Sequence, residues 1–265
     1  MQLNKIYLAD VFDFLQALEP QSVDLVIADP PYNMRKADWD TFRTEQDYFA
    51  FTFQWLDLLL PKCKPTASVY LFNNAYNSAV ILNYLRNKEC LFRNWITWYK
   101  RDGFSSTTKK FVNAQETILF YTLSNAYTFH ADAVRVPYES TERMSYAAKK
   151  GILKNGHRWF PNENGKLCSD VWEITSQRHK DKINGKIQKP AHPTIKPDEM
   201  IERMLLASSN ENDVVLDLFS GSGTTSRIAK TLNRQFIGCE NNLEYIPIIE
   251  QGGLTYDRLP NFEEH

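Results

Sequence analysis

Asp29-Pro30-Pro31-Tyr32 puts a carboxylate, two prolines and a phenol side by side, directly after the run Asp24-Leu25-Val26-Ile27-Ala28. A short apolar run stopped by prolines reads as a buried strand. Proline fixes its own φ and lacks an N–H, so the backbone after Asp29 is stiff and Pro30 offers only a carbonyl acceptor. A carboxylate and a fixed carbonyl can accept both hydrogens of an exocyclic NH2, while the Tyr32 ring stacks on a flat base. Open α/β sheets bind ligands at the carboxyl ends of their strands, where this tetrapeptide is expected. Taken alone, the four residues are equally readable as a strand followed by a proline-rich turn.

A second stretch has chemistry of its own. Val214-Val215-Leu216-Asp217-Leu218-Phe219 reads as another buried strand, followed by Ser220-Gly221-Ser222-Gly223-Thr224-Thr225. Glycines let the chain turn sharply and approach a ligand. A helix over about 224–232 would then present free N–H groups to that ligand. The next strand, 235–239, is followed by Glu240, an acid placed to bind ribose hydroxyls. A lone Gly-x-Gly is weak, but strand, glycine-rich turn, helix, strand and acid in order are far more specific.

With Asp29-Pro30-Pro31-Tyr32 and Phe219-Ser220-Gly221-Ser222-Gly223, the chain resembles the S-adenosylmethionine-dependent DNA amino-methyltransferases. The tetrapeptide precedes the cofactor turn, which is the order of their β group. The resemblance covers nearly the whole chain. It is closest to the MboII-type adenine-N6 methyltransferases, through Asn94-Trp95-Ile96-Thr97-Trp98, Arg135-Val136-Pro137-Tyr138-Glu139-Ser140, Arg158-Trp159-Phe160-Pro161-Asn162 and Ser176-Gln177-Arg178-His179-Lys180.

The resemblance implies an α/β fold, a doubly wound and mostly parallel Rossmann-like sheet with an inserted target-recognition region. It implies a catalytic half over 1–129, the insertion over 130–191 and a cofactor-binding half over 192–265. The implied activity is direct in-line methyl transfer to the N6 of an adenine flipped onto Tyr32, with Asp29, Pro30, Pro31 and Tyr32 as the catalytic set. The implied cofactor is S-adenosylmethionine, with no metal. It would be held by Asp10, Asp29, His192, Thr194, Lys196, Phe219, Ser220, Gly221, Ser222, Gly223, Thr224, Glu240 and Asn241. The implied partners are double-stranded DNA, a second copy of the chain and a restriction endonuclease of the same system, at a site such as GAAGA. As bare sequence, Asp10 reads equally as a helix N-cap, and His192 to Pro197 as a proline-rich turn with Asp198 as N-cap. Cytosine-N4 methylation remains the nearest alternative, although that group usually has Ser where this chain has Asp29. RNA or protein-amide methylation, which typically has Asn there, is more remote, and a catalytically silent DNA-binding subunit is the non-enzymatic alternative. There is no Pro-Cys dipeptide, which argues against a cysteine nucleophile of the kind used in cytosine C5 methylation.

The 265 residues suit one large domain, or one with an insertion. Cys63, Cys90, Cys168 and Cys239 show no metal-ligand spacing. Without a signal peptide or a bilayer-length apolar run, the expectation is a cytoplasmic protein with reduced thiols. Net charge is −1, yet residues 143–196 carry 12 Lys and Arg against 4 Asp and Glu, leaving the remainder at −9. A basic segment on an acidic body fits a phosphate-binding surface, or merely a solvated face.

Elsewhere, strands are expected at 6–9, 68–72, 92–99 and 116–121, and helices from Val11, over 45–60, 75–87 and 198–207. The strands at 92–99 and 116–121 lack an intervening helix and predict an antiparallel pair at one edge of a parallel sheet. The polar loop 33–40, with Arg35, Lys36 and Trp39, and the loop 100–115, with Lys109 and Lys110, are expected to face DNA. Asn-Gly pairs at 155–156, 164–165 and 184–185 signal hairpins inside the basic segment. There Arg158, Arg178, His179 and Lys180 are candidates for DNA contact. The tail after Gly252 is expected to be loosely ordered.

Overall fold

In a computed structural model, residues 1–101, 108–176, 182–183, 186–187 and 195–259 are described. The strands are β1 Lys5–Leu8, β2 Val23–Ala28, β3 Cys63–Asn73, β4 Leu91–Tyr99, β5 Gln115–Thr122, β6 Ile152–Lys154, β7 His157–Trp159, β8 Val171–Glu173, β9 Lys182–Ile183, β10 Lys186–Ile187, β11 Val214–Asp217, β12 Gln235–Glu240 and β13 Tyr256–Arg258. The α-helices are α1 Val11–Ala17, α2 Glu45–Leu59, α3 Ala75–Leu85, α4 Thr141–Lys150, α5 Asp198–Ser208, α6 Thr224–Thr231 and α7 Ile246–Gln251.

Nine strands form one sheet in the order β13-β1-β12-β11-β2-β3-β5-β4-β8. From β2 the chain runs outward through α2 to β3, and from β11 it runs the other way through α6 to β12. The strand order therefore reverses between β2 and β11, which pair in parallel with Leu25 opposite Val215 and Val26 opposite Leu216. A crevice opens at the carboxyl ends of two such strands. The tetrapeptide follows β2, and the glycine-rich turn follows β11.

Central strands of a parallel sheet are buried on both faces, so they read as continuous apolar runs rather than alternating ones. In β2, Leu25 and Ile27 join the core shared with Met200, Met204, Leu205 and Ile228 of α5 and α6. Val26 and Ala28 join the opposite core, with Phe14, Trp55, Leu56 and Ile81 of α1, α2 and α3. The aromatic stripe of α2 is packing, as its helical spacing implies: Trp55 and Tyr48 are almost wholly buried. A capping box between Thr44 and Asp47 starts that helix.

Three expectations are corrected. The antiparallel pair β4–β5 forms, but it is not the edge, because β8 adds in parallel to β4. Its Trp172 is buried, with Arg203 of α5 lying 5.0 Å over the ring, so the middle of the chain is tied into the main core. The tail is not loose as far as Arg258, since β13 pairs with β1 and Leu254 is buried. Pro197, not Asp198, takes the N-cap position of α5. Asp198 is already the first residue of the helix, one position past the cap, and it accepts a hydrogen bond from Arg227 of α6 at 2.7 Å.

The hairpin at Asn155-Gly156 joins β6 to β7, both turn residues having positive φ as a two-residue hairpin requires. Asn164-Gly165 is flanked by no strand pair, so that hairpin expectation is corrected as well. Asn184-Gly185 lies outside the described residues, between the antiparallel β9 and β10. All four cysteines are free. No described helix is long and apolar enough to cross a membrane.

Leu25 is fully buried at the strand junction that carries both site loops. Leu25→Ala is expected to lower unfolding free energy by about 2–5 kcal/mol, read by urea titration, through lost transfer energy and the cavity left behind.

Candidate active site

Asp29 to Tyr32 are held from both sides. Asp40, nearly fully buried, accepts the backbone N–H of Tyr32 at 2.6 Å, of Met34 at 3.0 Å and of Lys36 at 3.2 Å. Asn77 of α3 donates to the Tyr32 carbonyl at 2.8 Å and is itself anchored to Asn73 and Tyr48. The loop 33–40 is thus folded around a buried carboxylate, and its three-residue 3-10 turn Asp38–Asp40 places Trp39 against Tyr245, indole N–H to hydroxyl, at 3.0 Å. Lys36 and Trp39 line the cleft beneath this loop.

That cleft, of about 990 Å³ counting its mouth, is lined by Asp10, Asp29, Pro30, Pro31, Tyr32, Phe219, Gly221, Glu240 and Asn241, together with Glu116, Lys196 and several apolar side chains. Asp10 caps α1 by accepting the Phe12 N–H at 2.8 Å, and it also borders the cleft. Phe219 is propped from behind by Trp55 and Phe51 of α2, with ring centroids at 5.4 and 6.5 Å.

Glu240 ends β12 as a buried carboxylate accepting three backbone N–H groups: Gly221 at 2.7 Å, Asn242 at 2.8 Å and Asn241 at 3.0 Å. Burial pushes its pKa up, against the pull of those hydrogen bonds. The bond to Gly221 fixes the glycine-rich turn relative to β12. Ser220, Ser222 and Thr224 line a smaller hollow next to the cleft, with Asp29, Lys196 and Asp217. Gly223 lines neither. Its φ of +75° starts α6, and a Cβ there would lie 2.8 Å from Leu254, so its role is backbone geometry and packing.

Around Asp29 lies an ionic cluster that the sequence did not reveal. The Tyr32 hydroxyl donates to Asp29 Oδ1 at 2.8 Å, and Lys196 Nζ holds Asp29 Oδ2. Glu116, on β5, stands behind both. Its Oε2 is 3.4 Å from the Tyr32 hydroxyl and 3.7 Å from Lys196 Nζ, and its Oε1 accepts from Lys100 Nζ at 2.6 Å. Burial opposes ionisation of Glu116, but Lys196 and Lys100 hold its carboxyl down at about 2. Burial likewise opposes the Lys196 charge, and Asp29 and Glu116 more than offset it, raising its pKa. Burial, reinforced by Asp29 and Glu116, pushes the Tyr32 hydroxyl well up. A signal for Glu116 existed: it shares the inward face of β5 with Ile118 and Phe120, where a lone acid demands a partner. No sequence signal marked Asp40 or Lys100, and Lys100 is buried in the site rather than belonging to a DNA-facing loop.

The remaining expected residues lie elsewhere. Arg35, Lys109 and Lys110 are exposed and outside the cleft lining. Arg158 donates to the Lys150 carbonyl and so covers the C-terminal end of α4. His192, Thr194, Arg178, His179 and Lys180 lie outside the described residues.

The donor set suits S-adenosylmethionine. A cleft bordered by the carboxylates of Asp10, Asp29 and Glu240 and by the Phe219 ring could hold its sulfonium, ribose and adenine. No group of three or more potential metal ligands gathers among the described residues.

Comparison with known proteins agrees. The DNA methylase family model matches residues 23–251. The chain is 53% identical over 246 residues to the type II methyltransferase M1.MboII of Moraxella bovis, spanning 93% of this chain and 95% of that protein. It is 34% identical over 263 residues to M.BglII of Bacillus subtilis, spanning 94% and 68%. Two solved structures share the fold: the M1.HpyAVI–SAM complex (TM-score 0.62, 23% identity, 94% and 98% covered) and the PvuII DNA methyltransferase, described as cytosine-N4-specific (TM-score 0.70, 17% identity, 100% and 89% covered).

Asp217 gives a pH prediction. Burial pushes its carboxyl up from 3.8 to about 7, against hydrogen bonds from Thr225 and the Phe219 N–H. A raised folded-state pKa contributes stability that is complete below 3.8 and lost as pH rises through about 7. Asp217→Asn is therefore expected to raise Tm relative to the wild type at about pH 8 and to change it little at about pH 4, read as melting curves across pH. An equal shift at both pH values would refute this.

Proposed function

The chain belongs to the DNA methylase family of S-adenosylmethionine-dependent enzymes, and we propose that it is a site-specific adenine-N6 methyltransferase, the modification component of a restriction–modification system. The observation that carries this is Asp29 at the end of β2, clamped beside the Pro30 carbonyl and facing the same cleft as Glu240 and Gly221.

Adenine N6 is a weak nucleophile because its lone pair is conjugated with the ring. Asp29 and the Pro30 carbonyl, each accepting one N–H, favour a more tetrahedral nitrogen with its lone pair aimed at the cofactor. S-adenosylmethionine supplies an already activated methyl group. The chain's main contribution is alignment, which removes a large entropic part of the barrier. A base inside a duplex must leave the stack to reach this cleft, and the Tyr32 ring is the surface against which it stacks.

Residues 130–191 are read as the target-recognition region, between a catalytic part over 1–129 and a cofactor part over 192–265. Its excess of Lys and Arg supports contact with phosphates, and its hairpins are elements of a size that can enter a groove. GAAGA, the site that the sequence resemblance implies, is the proposed target. A homodimer, a partner endonuclease and a cytoplasmic location complete the reading. Cytosine-N4 methylation is the second reading, favoured by the structural likeness to the PvuII enzyme. Asp29 in place of Ser argues against it.

Asp29→Ala and Tyr32→Ala are expected to lose methyl transfer by roughly 100-fold or more while cofactor binding largely survives, read by methylation kinetics and calorimetry. Sequencing of a methylated DNA library at single-base resolution is expected to show N6-methyladenine. N4-methylcytosine would establish the second reading instead.

A further inference from the structure

We propose that Glu116 is the carboxylate that draws Lys196 and the Tyr32 hydroxyl off Asp29 as the target amine arrives, a positioning residue for methyl transfer. The inference rests on Asp29 being the amine acceptor.

Each oxygen of Asp29 holds a donor, Tyr32 on Oδ1 and Lys196 on Oδ2. These two side chains also fill the approach to it: both are buried, and the Lys196 ammonium lies 5.6 Å over the Tyr32 ring. Each Asp29 oxygen keeps a further lone pair and the side chain is 22% exposed, so an arriving amine competes with these donors for space and charge rather than for acceptor sites, and a shift of either donor relieves that competition. Taking a buried ammonium from its counter-ion is costly unless another anion receives it.

Glu116 has the position of that second anion. Its Oε2 already makes a loose second contact with both donors, 3.7 Å from Lys196 Nζ as an ion pair and 3.4 Å from the Tyr32 hydroxyl as a long hydrogen bond. A movement of well under one side-chain length transfers them. Its other oxygen is pinned by Lys100, which packs 4.8 Å over the Trp98 ring, so Glu116 stays in place while Lys196 moves. Lys196 is faced by Asp29 from the end of β2, by Glu116 from β5, by Tyr32 and Lys36 from the loop after β2, and by Asp217 of β11 across the smaller hollow. Lys100, on the other oxygen of Glu116, is a further ammonium of the same cluster.

The test is steady-state methylation of duplex DNA by the wild type, Glu116→Gln and Glu116→Asp over a range of pH, with cofactor affinity measured in parallel. For Glu116→Gln, kcat is expected to fall roughly 10- to 100-fold while the S-adenosylmethionine Kd changes less than about threefold. Without its second anion Lys196 loses its proton at lower pH than in the wild type, so the Gln variant is expected to regain activity towards the alkaline end of the range, where a neutral Lys196 releases Asp29. Glu116→Asp keeps the charge and shortens the reach, and is expected to fall between the two. A Gln variant within about twofold of wild type, or a loss equal at every pH and in both variants, overturns the proposal. If the variants do not fold, the wild-type crystal structure with S-adenosylhomocysteine and duplex decides. Lys196 Nζ within about 3 Å of Glu116 supports the transfer, and Lys196 still on Asp29 overturns it. A wild type that methylates no amine in DNA would instead overturn the reading of the whole site, and this inference with it.

Discussion

The parallel pairing of β2 with β11 is the constraint on which the rest depends. It brings the end of one strand, Asp29, beside the end of another, Asp217 and its glycine-rich turn, although 187 residues separate them in the chain. Asp24 reinforces the junction, since its carboxylate accepts the Val214 N–H at 2.9 Å and holds Lys64 at 2.7 Å. Crossovers leaving in opposite directions keep either chain from covering the crevice. The two loops that line the cleft are therefore carried on one rigid seam.

Electrostatics then decides which loop residues can do chemistry. The cleft collects acids, which suits a cationic cofactor, but each acid needs compensation once buried. Glu240 finds it in three backbone N–H groups, Asp40 in three more, and Asp29 and Glu116 in lysines from distant parts of the chain. The two kinds of compensation differ in consequence. Backbone donors lock a carboxylate, whereas a lysine on a flexible stem can change partner.

The middle of the chain shows the fold and the basic surface being built from the same stretch. β8 extends the sheet, with Trp172 buried and its indole donating to the Ser169 carbonyl at 2.7 Å. The hairpin of β6 and β7 stands apart, exposing Leu153, Trp159 and Phe160. Arg158, a candidate for DNA contact by sequence, serves the fold: its guanidinium closes the end of α4.

Much was legible in the sequence because it is local. The apolar runs of β2 and β11, the prolines after Asp29, the helical stripe of α2, the Asn155-Gly156 turn and the order of strand, glycine turn, helix and acid each follow from neighbours a few residues apart. So did the candidates Asp29, Tyr32, Gly221 and Glu240, all of which the fold brings to one cleft. What lay beyond the sequence is non-local. Lys196 reaches Asp29 across 167 residues and Lys100 meets Glu116 across 16, and no periodicity records such a meeting. The addition of β8 beside β4 and of β13 beside β1, and the choice of Asp40 as the anchor of its loop, were likewise settled only by tertiary packing. Residue types and spacing determined which chemistry this chain carries. Burial and strand order decided which charges face one another, because the strength and sign of a buried interaction depend on what the fold places across from it.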